Sequence, residues 1–381
     1  MANPLLQLRE QGQSVWLDFI RRKLLLDGGL ARHRDEDGIR GVTANPTIFA
    51  QAIGAGDDYD EQIRELVEQG VDPADIFERL AVDDVRHATG ILRPVFDQGR
   101  SDGFVSIEVS PEKAFHTQPS IDEAKRWWSL IDRPNLLVKI PATEEGLPAI
   151  EECIFAGLNI NITLIFAISF HERVMDAYMR GLERRLEAGL DISDSNSVAS
   201  FFVSRVDTAA DKRIEAKIAE AKTDAQREKL RGLLGKVAIA NAKVAYRRFQ
   251  ERFGEERFKK LAAKGAKVQR PLWASTGTKN PAYSDVMYVT ELIGPDTVNT
   301  MPPQTIDAFR DHGVLRGATI EEDYEGALRV LRDLDDVGIS LDEITAQLQS
   351  EGVESFTKSF REIGETTARK AEEIRRRVSA A

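Results

Sequence analysis

The chain has 381 residues, of which 42% are hydrophobic and 30% are charged, and its formal net charge is −11. This composition is typical of a globular protein with a sizeable core, and it argues against nonspecific binding to nucleic acid or to anionic membranes. The negative net charge still allows an anionic small substrate to bind if basic residues are concentrated at its site. The single cysteine, Cys153, excludes an internal disulfide framework and is typical of a reducing cytoplasm.

The start of the chain gives no indication of export. Arg9, Glu10 and Asp18 interrupt the first 19 residues, which lack the basic start and long apolar core of a secretory signal. Apolar runs elsewhere fall short of the roughly 20 residues of a membrane-spanning helix. We therefore expect a cytoplasmic protein that works without a membrane.

Short apolar runs alternate with longer helical patterns along the chain, which is the rhythm of parallel βα units. Helices are predicted at Ala74–Phe96 and Phe170–Gly189, and another is predicted to open at Ser120 as a cap, with Glu123 three residues on. The apolar runs predict eight strands, at Val15–Asp18, Ile39–Thr43, Phe104–Val109, Leu136–Pro141, Ile160–Leu164, Val198–Val203, Pro271–Ser275 and Thr297–Met301.

The spacing changes after the sixth strand. Residues 207–267 form a charged, helix-rich segment with helical patterns at Ala216–Arg231 and Lys236–Phe253, which is longer than one crossover requires. We interpret it as an insertion with most of its charges on a solvated face. From Ile344 onward the chain is helix-like again. The sequence thus predicts one domain over 1–381, a (β/α)8 TIM barrel with a helical insertion between strands six and seven and a C-terminal helical tail.

The fourth predicted strand contains Lys139 among leucine, valine and isoleucine. A buried ammonium costs several kcal/mol unless it is paired or neutralised, and desolvation favours the neutral amine, which attacks carbonyl carbons. The alternative is an ordinary lysine whose stem reaches solvent from a strand end.

Other polar residues also stand at or just after the ends of predicted strands. Because the active site of such a barrel lies at the carboxyl ends of its strands, these side chains are expected to converge. Each alone has a simpler explanation as a helix cap, a turn or a backbone hydrogen bond. The residues, besides Lys139, are Asp18, Asn45, Glu108, Asn161, Thr163, Ser200, Arg205 and Ser275.

Together these residue types support carbonyl chemistry through a Schiff base on Lys139. Glu108, acting through a water held with Thr163, is suited to the proton transfers of imine formation. Asp18 is suited to take a proton from a substrate hydroxyl as a carbon–carbon bond breaks.

The remaining candidates are suited to holding a phosphorylated sugar. Asn45 and Asn161 offer donors and acceptors for hydroxyl groups. Arg205, with Ser200 and Ser275, is suited to bind a phosphate through charge-assisted hydrogen bonds. The five histidines lack metal-ligand spacing, and we find no complete dinucleotide or P-loop motif, so we expect no metal and no cofactor.

Five segments carry a resemblance to a known family: Gly41–Thr47, Val105–Val109, Val138–Thr143, Asn161–Leu164 and Ser200–Arg205. In order and position they resemble the transaldolase family, and the closest likeness is to longer bacterial members with a helical insertion. The resemblance implies a metal-free Schiff-base barrel enzyme of the non-oxidative pentose phosphate pathway. Such enzymes move a dihydroxyacetone unit from sedoheptulose 7-phosphate or fructose 6-phosphate to an aldose phosphate, such as glyceraldehyde 3-phosphate or erythrose 4-phosphate.

The resemblance also implies a role for each matching residue. Lys139 corresponds to the Schiff-base lysine, Asp18 to the acid/base, and Glu108 and Thr163 to the holders of the catalytic water. Shorter members place an arginine two residues after the serine that matches Ser275, whereas this chain has Gly277, so Lys279 is the expected second phosphate cation. The implied substrate-binding residues are Asn45, Asn161, Ser200, Arg205, Ser275 and Lys279.

Two other functions stay open at this point. An aldolase of the fructose-6-phosphate type would use the same imine but release free dihydroxyacetone, because Lys139 does not dictate the acceptor. A noncatalytic sugar-phosphate-binding barrel would need none of the catalytic residues that are present. The expected partners are small sugar phosphates, without nucleic acid or membrane, in a monomer or a homodimer.

Overall fold

The computed structural model describes residues 3–380, which form a closed barrel of parallel strands surrounded by helices. Each strand pairs with its neighbour in the chain, and the last pairs with the first. The predicted (β/α)8 fold is confirmed. The strands are β1 (Gln13–Leu17), β2 (Gly41–Thr43), β3 (Phe104–Glu108), β4 (Leu136–Pro141), β5 (Ile160–Ile165), β6 (Ser197–Phe202), β7 (Arg270–Ala274) and β8 (Thr297–Met301).

The register of three adjacent strands aligns polar residues that the sequence places far apart. Glu108 of β3 lies opposite Lys139 of β4, and Lys139 lies opposite Asn161 of β5. A one-residue slip would turn each of these side chains to the other face of its strand. The hydrogen bonds between the strands therefore fix the three side chains at the same height along the barrel axis.

Helices cover the outside of the barrel within the described residues. The helices before β6 are α1 (Pro4–Glu10), α2 (Arg22–Leu26), α3 (Gly29–Glu36), α4 (Pro46–Gly54), α5 (Asp60–Glu68), α6 (Pro73–Phe96), α7 (Thr117–Ile131), α8 (Gly146–Phe155) and α9 (Ile168–Glu187). Those after β6 are α10 (Ser204–Glu220), α11 (Asp224–Arg231), α12 (Val237–Gly254), α13 (Glu256–Ala262), α14 (Met287–Thr290), α15 (Pro303–His312), α16 (Tyr324–Asp336) and α17 (Leu341–Ala380).

The predicted cap at Ser120 is wrong. Helix α7 already begins at Thr117, and Ser120 lies inside it, where its hydroxyl donates to the carbonyl of Lys113 at 2.8 Å. Glu123 forms an ion pair with Lys113 rather than a capping box. Pro119 explains the earlier start, because proline favours the first turn of a helix.

The segment between β6 and β7 contains four helices, α10 to α13. The helical pattern predicted for Ala216–Arg231 is interrupted, because Thr223 caps a new helix and forms a capping box with Gln226. Helix α11 buries Leu230 and exposes most of its charged residues. Helix α12 instead packs between α9 and α16 and belongs to the outer layer of the barrel.

Helix α17 is the C-terminal tail expected from the sequence, and it begins three residues before the expected Ile344. It packs along α4, α5 and α6 and also contacts α10 and the end of β5. At its contact with β5, a Cβ on Gly352 would lie 2.9 Å from the Leu164 side chain, so the backbone of the helix approaches the barrel closely. Within residues 3–380, no helix has both the length and the apolar content needed to span a bilayer.

His171 on α9 is fully buried, and neither ring nitrogen has a hydrogen-bond partner among the described residues. Its ring packs edge-on against Phe201. Burial lowers the pKa of His171 from 6.5 to about 4, because the charged imidazolium loses its hydration. A histidine with a lowered pKa stabilises the fold fully above pH 6.5, and this contribution is lost as the pH falls toward 4.

We expect the His171→Phe substitution to reduce the acid sensitivity of the fold. Since each pH unit below 6.5 favours the unfolded, protonated histidine by about 1.4 kcal/mol, the wild type should lose about 2 kcal/mol at pH 5 through this residue. The free energy of unfolding, measured with urea at pH 7 and pH 5, should therefore fall by about 2 kcal/mol less in the variant. An identical fall in both proteins would contradict this account.

Candidate active site

A cavity of about 470 Å³ opens at the carboxyl ends of the strands. All the predicted site residues line it except Glu108 and Asn161, which lie behind its wall. The cavity therefore brings together side chains from the beginning, the middle and the end of the chain. Its lining residues from the prediction are Asp18, Asn45, Lys139, Thr163, Ser200, Arg205, Ser275 and Lys279.

Lys139 projects from β4 into this cavity with only 4% of its surface exposed. Its Nζ donates to the carbonyl oxygen of Ala44 at 3.2 Å and lies 3.3 Å from Oε2 of Glu108. Both side chains of this ion pair are almost completely removed from solvent. A buried amine with an open path to a cavity can reach a carbonyl carbon that binds there.

Glu108 is held at low accessibility beside that amine. Burial raises the pKa of Glu108 above its ordinary value, although the positive charge of Lys139 acts in the opposite direction. Neither carboxyl oxygen has a well-aligned hydrogen bond to a described residue, and the same holds for Oγ1 of Thr163 on β5. These buried oxygens can therefore bind a water molecule or a polar group of a ligand.

Asp18 follows β1, the strand that pairs with β8 and so closes the barrel. Oγ1 of Thr43 donates to its Oδ1 at 2.6 Å, and the hydroxyls of Thr43 and Thr300 are also 2.6 Å apart. Because Thr43 has one proton to give, Thr300 donates the second bond. Burial raises the pKa of Asp18, and the bond from Thr43 and the charge of Lys139 only partly offset this effect.

Asn161 is fully buried and already has partners on both sides of its amide. Its Nδ2 donates to Oγ of Ser106 at 3.0 Å, and its Oδ1 accepts from Oγ of Ser200 at 2.7 Å. In this arrangement Asn161 orients Ser200 at the cavity wall. Ser106 was missed by the sequence reasoning, although it stands two residues before Glu108 and so shares its face of β3.

Asn45 has a structural task as well as a position on the cavity. Its Oδ1 accepts from the backbone N–H of Ile48 at 3.0 Å and thereby caps helix α4, which has Pro46 in its first turn. Its oxygen is therefore occupied, and what it offers a ligand is the Nδ2 amide donor.

Arg205 brings a positive charge to the cavity from the first turn of α10. Its guanidinium carbon lies 5.3 Å from the centre of the Phe202 ring and 5.9 Å from that of Phe356 on α17. Burial lowers the pKa of Arg205, while the negative charges of Asp18 and Glu108 act against this effect. The guanidinium makes no salt bridge with a described side chain, so its donors are available to an anionic ligand.

The loop after β7 supplies the other candidates for binding an anion. Ser275 has a φ of 56°, and its hydroxyl lies 2.9 Å from that of Ser204. Non-glycine residues adopt such left-handed conformations at a cost and are found preferentially at functional sites. A Cβ at Gly277 would lie 3.3 Å from both Pro302 and Thr305, which is a tight contact, whereas Lys279 is exposed at the cavity rim.

Several lining residues were not foreseen from the sequence. Gln304 follows β8 and carried the same signal as the other residues near strand ends, so it was open to detection. Ser355 and Phe356 come from α17, whose helical pattern does not show which surface it covers. The unforeseen polar residues of the lining include Thr43, Thr47, Gln51, Thr300, Gln304 and Ser355. Across residues 3–380, no group of three or more histidine, cysteine or acidic side chains is placed to hold a metal ion.

The chain is similar to known proteins over nearly its whole length. A family model described as transaldolase/fructose-6-phosphate aldolase matches residues 15–367. A protein named transaldolase from a Parafrankia species is 48% identical over 367 residues, which cover 96% of this chain and 97% of the relative. Proteins of the same name from Acidothermus cellulolyticus and Thermobifida fusca are 48% and 46% identical, over 99% and 95% of this chain and 99% and 97% of the relatives.

We expect Lys139→Met to destabilise the fold increasingly as the pH rises. The pKa of Glu108 is raised by burial, so its contribution to stability is largest below pH 4.5 and declines as the carboxylate ionises. Without the ammonium only the weaker attraction of Arg205 offsets this loss, and an unpaired buried charge costs about 3–5 kcal/mol.

Urea unfolding at pH 4.5 and pH 8 tests this expectation. The double variant Lys139→Met/Glu108→Gln should recover most of the stability at pH 8, because it removes the unpaired charge. Lys370→Met is the control, since its ammonium pairs with the partly exposed Asp60 at 2.9 Å and its loss should cost at most about 1 kcal/mol. Equal stability of the single and double Lys139 variants at pH 8 would refute the role of the pair.

Proposed function

The chain belongs to the transaldolase/fructose-6-phosphate aldolase family, and from this premise we propose how its cavity carries out the transaldolase reaction. The enzyme transfers a dihydroxyacetone unit from a ketose phosphate to an aldose phosphate through a Schiff base on Lys139. The observation that carries the proposal is the placement of Lys139, whose buried amine opens onto the same cavity as Asp18 and Arg205.

The first half of the reaction joins the enzyme and the ketose. The neutral amine of Lys139 attacks the ketone carbon, and loss of water from the resulting carbinolamine gives a protonated imine. Glu108 lies beside Nζ, and burial raises its pKa above the ordinary value, which suits a group that gives and takes protons. The unpartnered hydroxyl of Thr163 supports a water molecule that relays these protons.

The second half breaks and remakes a carbon–carbon bond. Asp18 takes the proton from the hydroxyl on the β-carbon, and the electrons of the bond between the α- and β-carbons move toward the imine. The aldose phosphate leaves, while the dihydroxyacetone unit stays bound to Lys139 as an enamine. A second aldose phosphate then accepts this unit by the reverse steps.

The polar wall of the cavity orients the sugar along this path. The amide of Asn45 and the Asn161–Ser200 pair serve the hydroxyl groups of the dihydroxyacetone unit. The bond from Ser200 to Asn161 is the reason that we assign Ser200 to this unit and not, as expected from the sequence, to the phosphate. At the other end Arg205, Ser275 and Lys279 receive the phosphate. This orientation of the sugar in the cavity is supported by the unpaired guanidinium of Arg205 and by the exposed ammonium of Lys279 at the rim.

This assignment makes the protein a transferase of the pentose phosphate pathway whose partners are sugar phosphates. We also propose a cytoplasmic location, which the single buried cysteine favours. Cell fractionation tests the location. A monomer or a homodimer remains the prediction for the assembly, and light scattering coupled to gel filtration measures it.

Reduction with borohydride in the presence of fructose 6-phosphate should trap the imine as a stable adduct on Lys139, found by peptide mass spectrometry. Lys139→Arg should form no adduct and have no turnover, because a guanidinium stays protonated. Asp18→Asn should still form the adduct with the ketose but cleave it slowly. Labelling of another lysine, or near-normal turnover of Lys139→Arg, would exclude the proposed role.

The identity of the acceptor step separates a transaldolase from an aldolase. We expect consumption of fructose 6-phosphate to depend on an added acceptor such as erythrose 4-phosphate, with little release of free dihydroxyacetone. The measurement compares product formation with and without the acceptor. Release of dihydroxyacetone at the same rate in both cases would favour the aldolase.

A further inference from the structure

The loop that follows β7 carries Lys279 but has little regular structure of its own. Oγ1 of Thr278 donates to the carbonyl of Ser284 at 2.8 Å, and the backbone N–H of Tyr283 donates to the carbonyl of Asn280 at 3.1 Å. These bonds close the loop into a compact turn around Lys279. The lysine itself is exposed and makes no salt bridge with a described side chain, so other contacts must fix the turn relative to the cavity.

Two tyrosines fasten this segment to helix α10. The hydroxyl of Tyr283 donates to Oδ2 of Asp211 at 2.7 Å, and that of Tyr288 donates to Oδ2 of Asp207 at 2.9 Å. Burial and the neighbouring carboxylates raise the pKa of both tyrosines, so the phenols keep their protons. Both aspartates stand on the helix that carries Arg205 in its first turn.

Two backbone N–H groups farther along the segment between β6 and β7, after helix α11, complete these contacts. The second oxygen of Asp211 accepts from the backbone N–H of Gly235 at 3.0 Å, and that of Asp207 accepts from the N–H of Ala238 at 2.7 Å. Gly235 has a φ of 68°, and a Cβ there would lie 2.8 Å from Cζ of Tyr283. Glycine thus leaves the space that the tyrosine ring occupies.

We propose that the Asp211–Tyr283 contact, supported by Asp207–Tyr288, positions Lys279 so that it binds the substrate phosphate together with Arg205. The inference rests on the proposed function, in which this end of the cavity receives the phosphate. None of these four residues lines the cavity, so we assign them a positioning role. Helix α10 carries Arg205 and both aspartates, and Gly235 and Ala238, farther along the same segment, hold the aspartates in place.

Tyr283→Phe tests the proposal, because it removes one hydroxyl and keeps the ring. The probes are inorganic phosphate as a competitive inhibitor and fructose 6-phosphate as a donor. We expect the inhibition constant and the KM each to rise about threefold to tenfold, while kcat changes by less than about twofold. The KM of unphosphorylated fructose should stay unchanged, which a general loosening of the site would not produce.

A double-mutant cycle with Lys279→Met makes the test specific. If Tyr283 acts through Lys279, Tyr283→Phe should weaken phosphate binding no further in the Lys279→Met background. Asp211→Asn should reproduce part of the effect, because it keeps an oxygen for Gly235 but replaces the bond from the phenol to a carboxylate with a weaker, neutral one. Tyr246→Phe is the control, since its hydroxyl donates to the carbonyl of Pro295 at 3.1 Å, away from this loop.

The possible outcomes separate this inference from the proposed function. Unchanged phosphate affinity in Tyr283→Phe and Asp211→Asn, or an equal loss with and without Lys279, overturns the positioning role. If Lys279→Met does not affect inhibition by phosphate, the assignment of Lys279 and this inference fall together. Transaldolase chemistry is then still judged independently by the borohydride adduct on Lys139.

Discussion

The ion pair between Lys139 and Glu108 is the contact on which the site depends. Removing two charges from water costs free energy, and their mutual attraction offsets this desolvation only when their geometry is closely fixed. The barrel supplies that geometry, because the register of β3 and β4 sets the two residues opposite each other. The same burial raises the pKa of Glu108, which suits it to the proton transfers that imine chemistry requires.

The other functional side chains are organised around this pair by separate polar networks. Thr300 and Thr43 act on Asp18, while Ser106 and Asn161 act on Ser200. Each network includes a bond between strands that are not adjacent, since Thr43 of β2 bonds Thr300 of β8 and Ser106 of β3 bonds Asn161 of β5. Rigid strands therefore position the chemistry, whereas loops and helices after the strands supply the cations that hold the phosphate.

The sequence was most informative about the site where a polar residue stands in a segment that the fold requires to be apolar. Buried parallel strands must be apolar, so a polar residue at a strand end, such as Lys139, stood out. Short-range patterns were less reliable: the cap signature at Ser120 was overridden by Pro119 in the first turn of α7. The partners of Asn161 could not be foreseen, because several serines and threonines on the other strands were equally suitable. An amphipathic pattern identifies the buried face of a helix but not the element that this face contacts. It therefore could not show that α17 brings Phe356 to Arg205.

Helix α17 and the pairing of β1 with β8 also have a consequence for how the protein is made. Asp18 belongs to the part of the chain synthesised first, whereas Thr300 and Phe356 emerge from the ribosome late. Until β8 has been translated the barrel wall is open, and until α17 follows, Arg205 lacks one of its two aromatic neighbours. A nascent or truncated chain thus contains the reactive lysine without its assembled surroundings, so that β8 and α17 must be synthesised before the protein can bind and cleave a sugar.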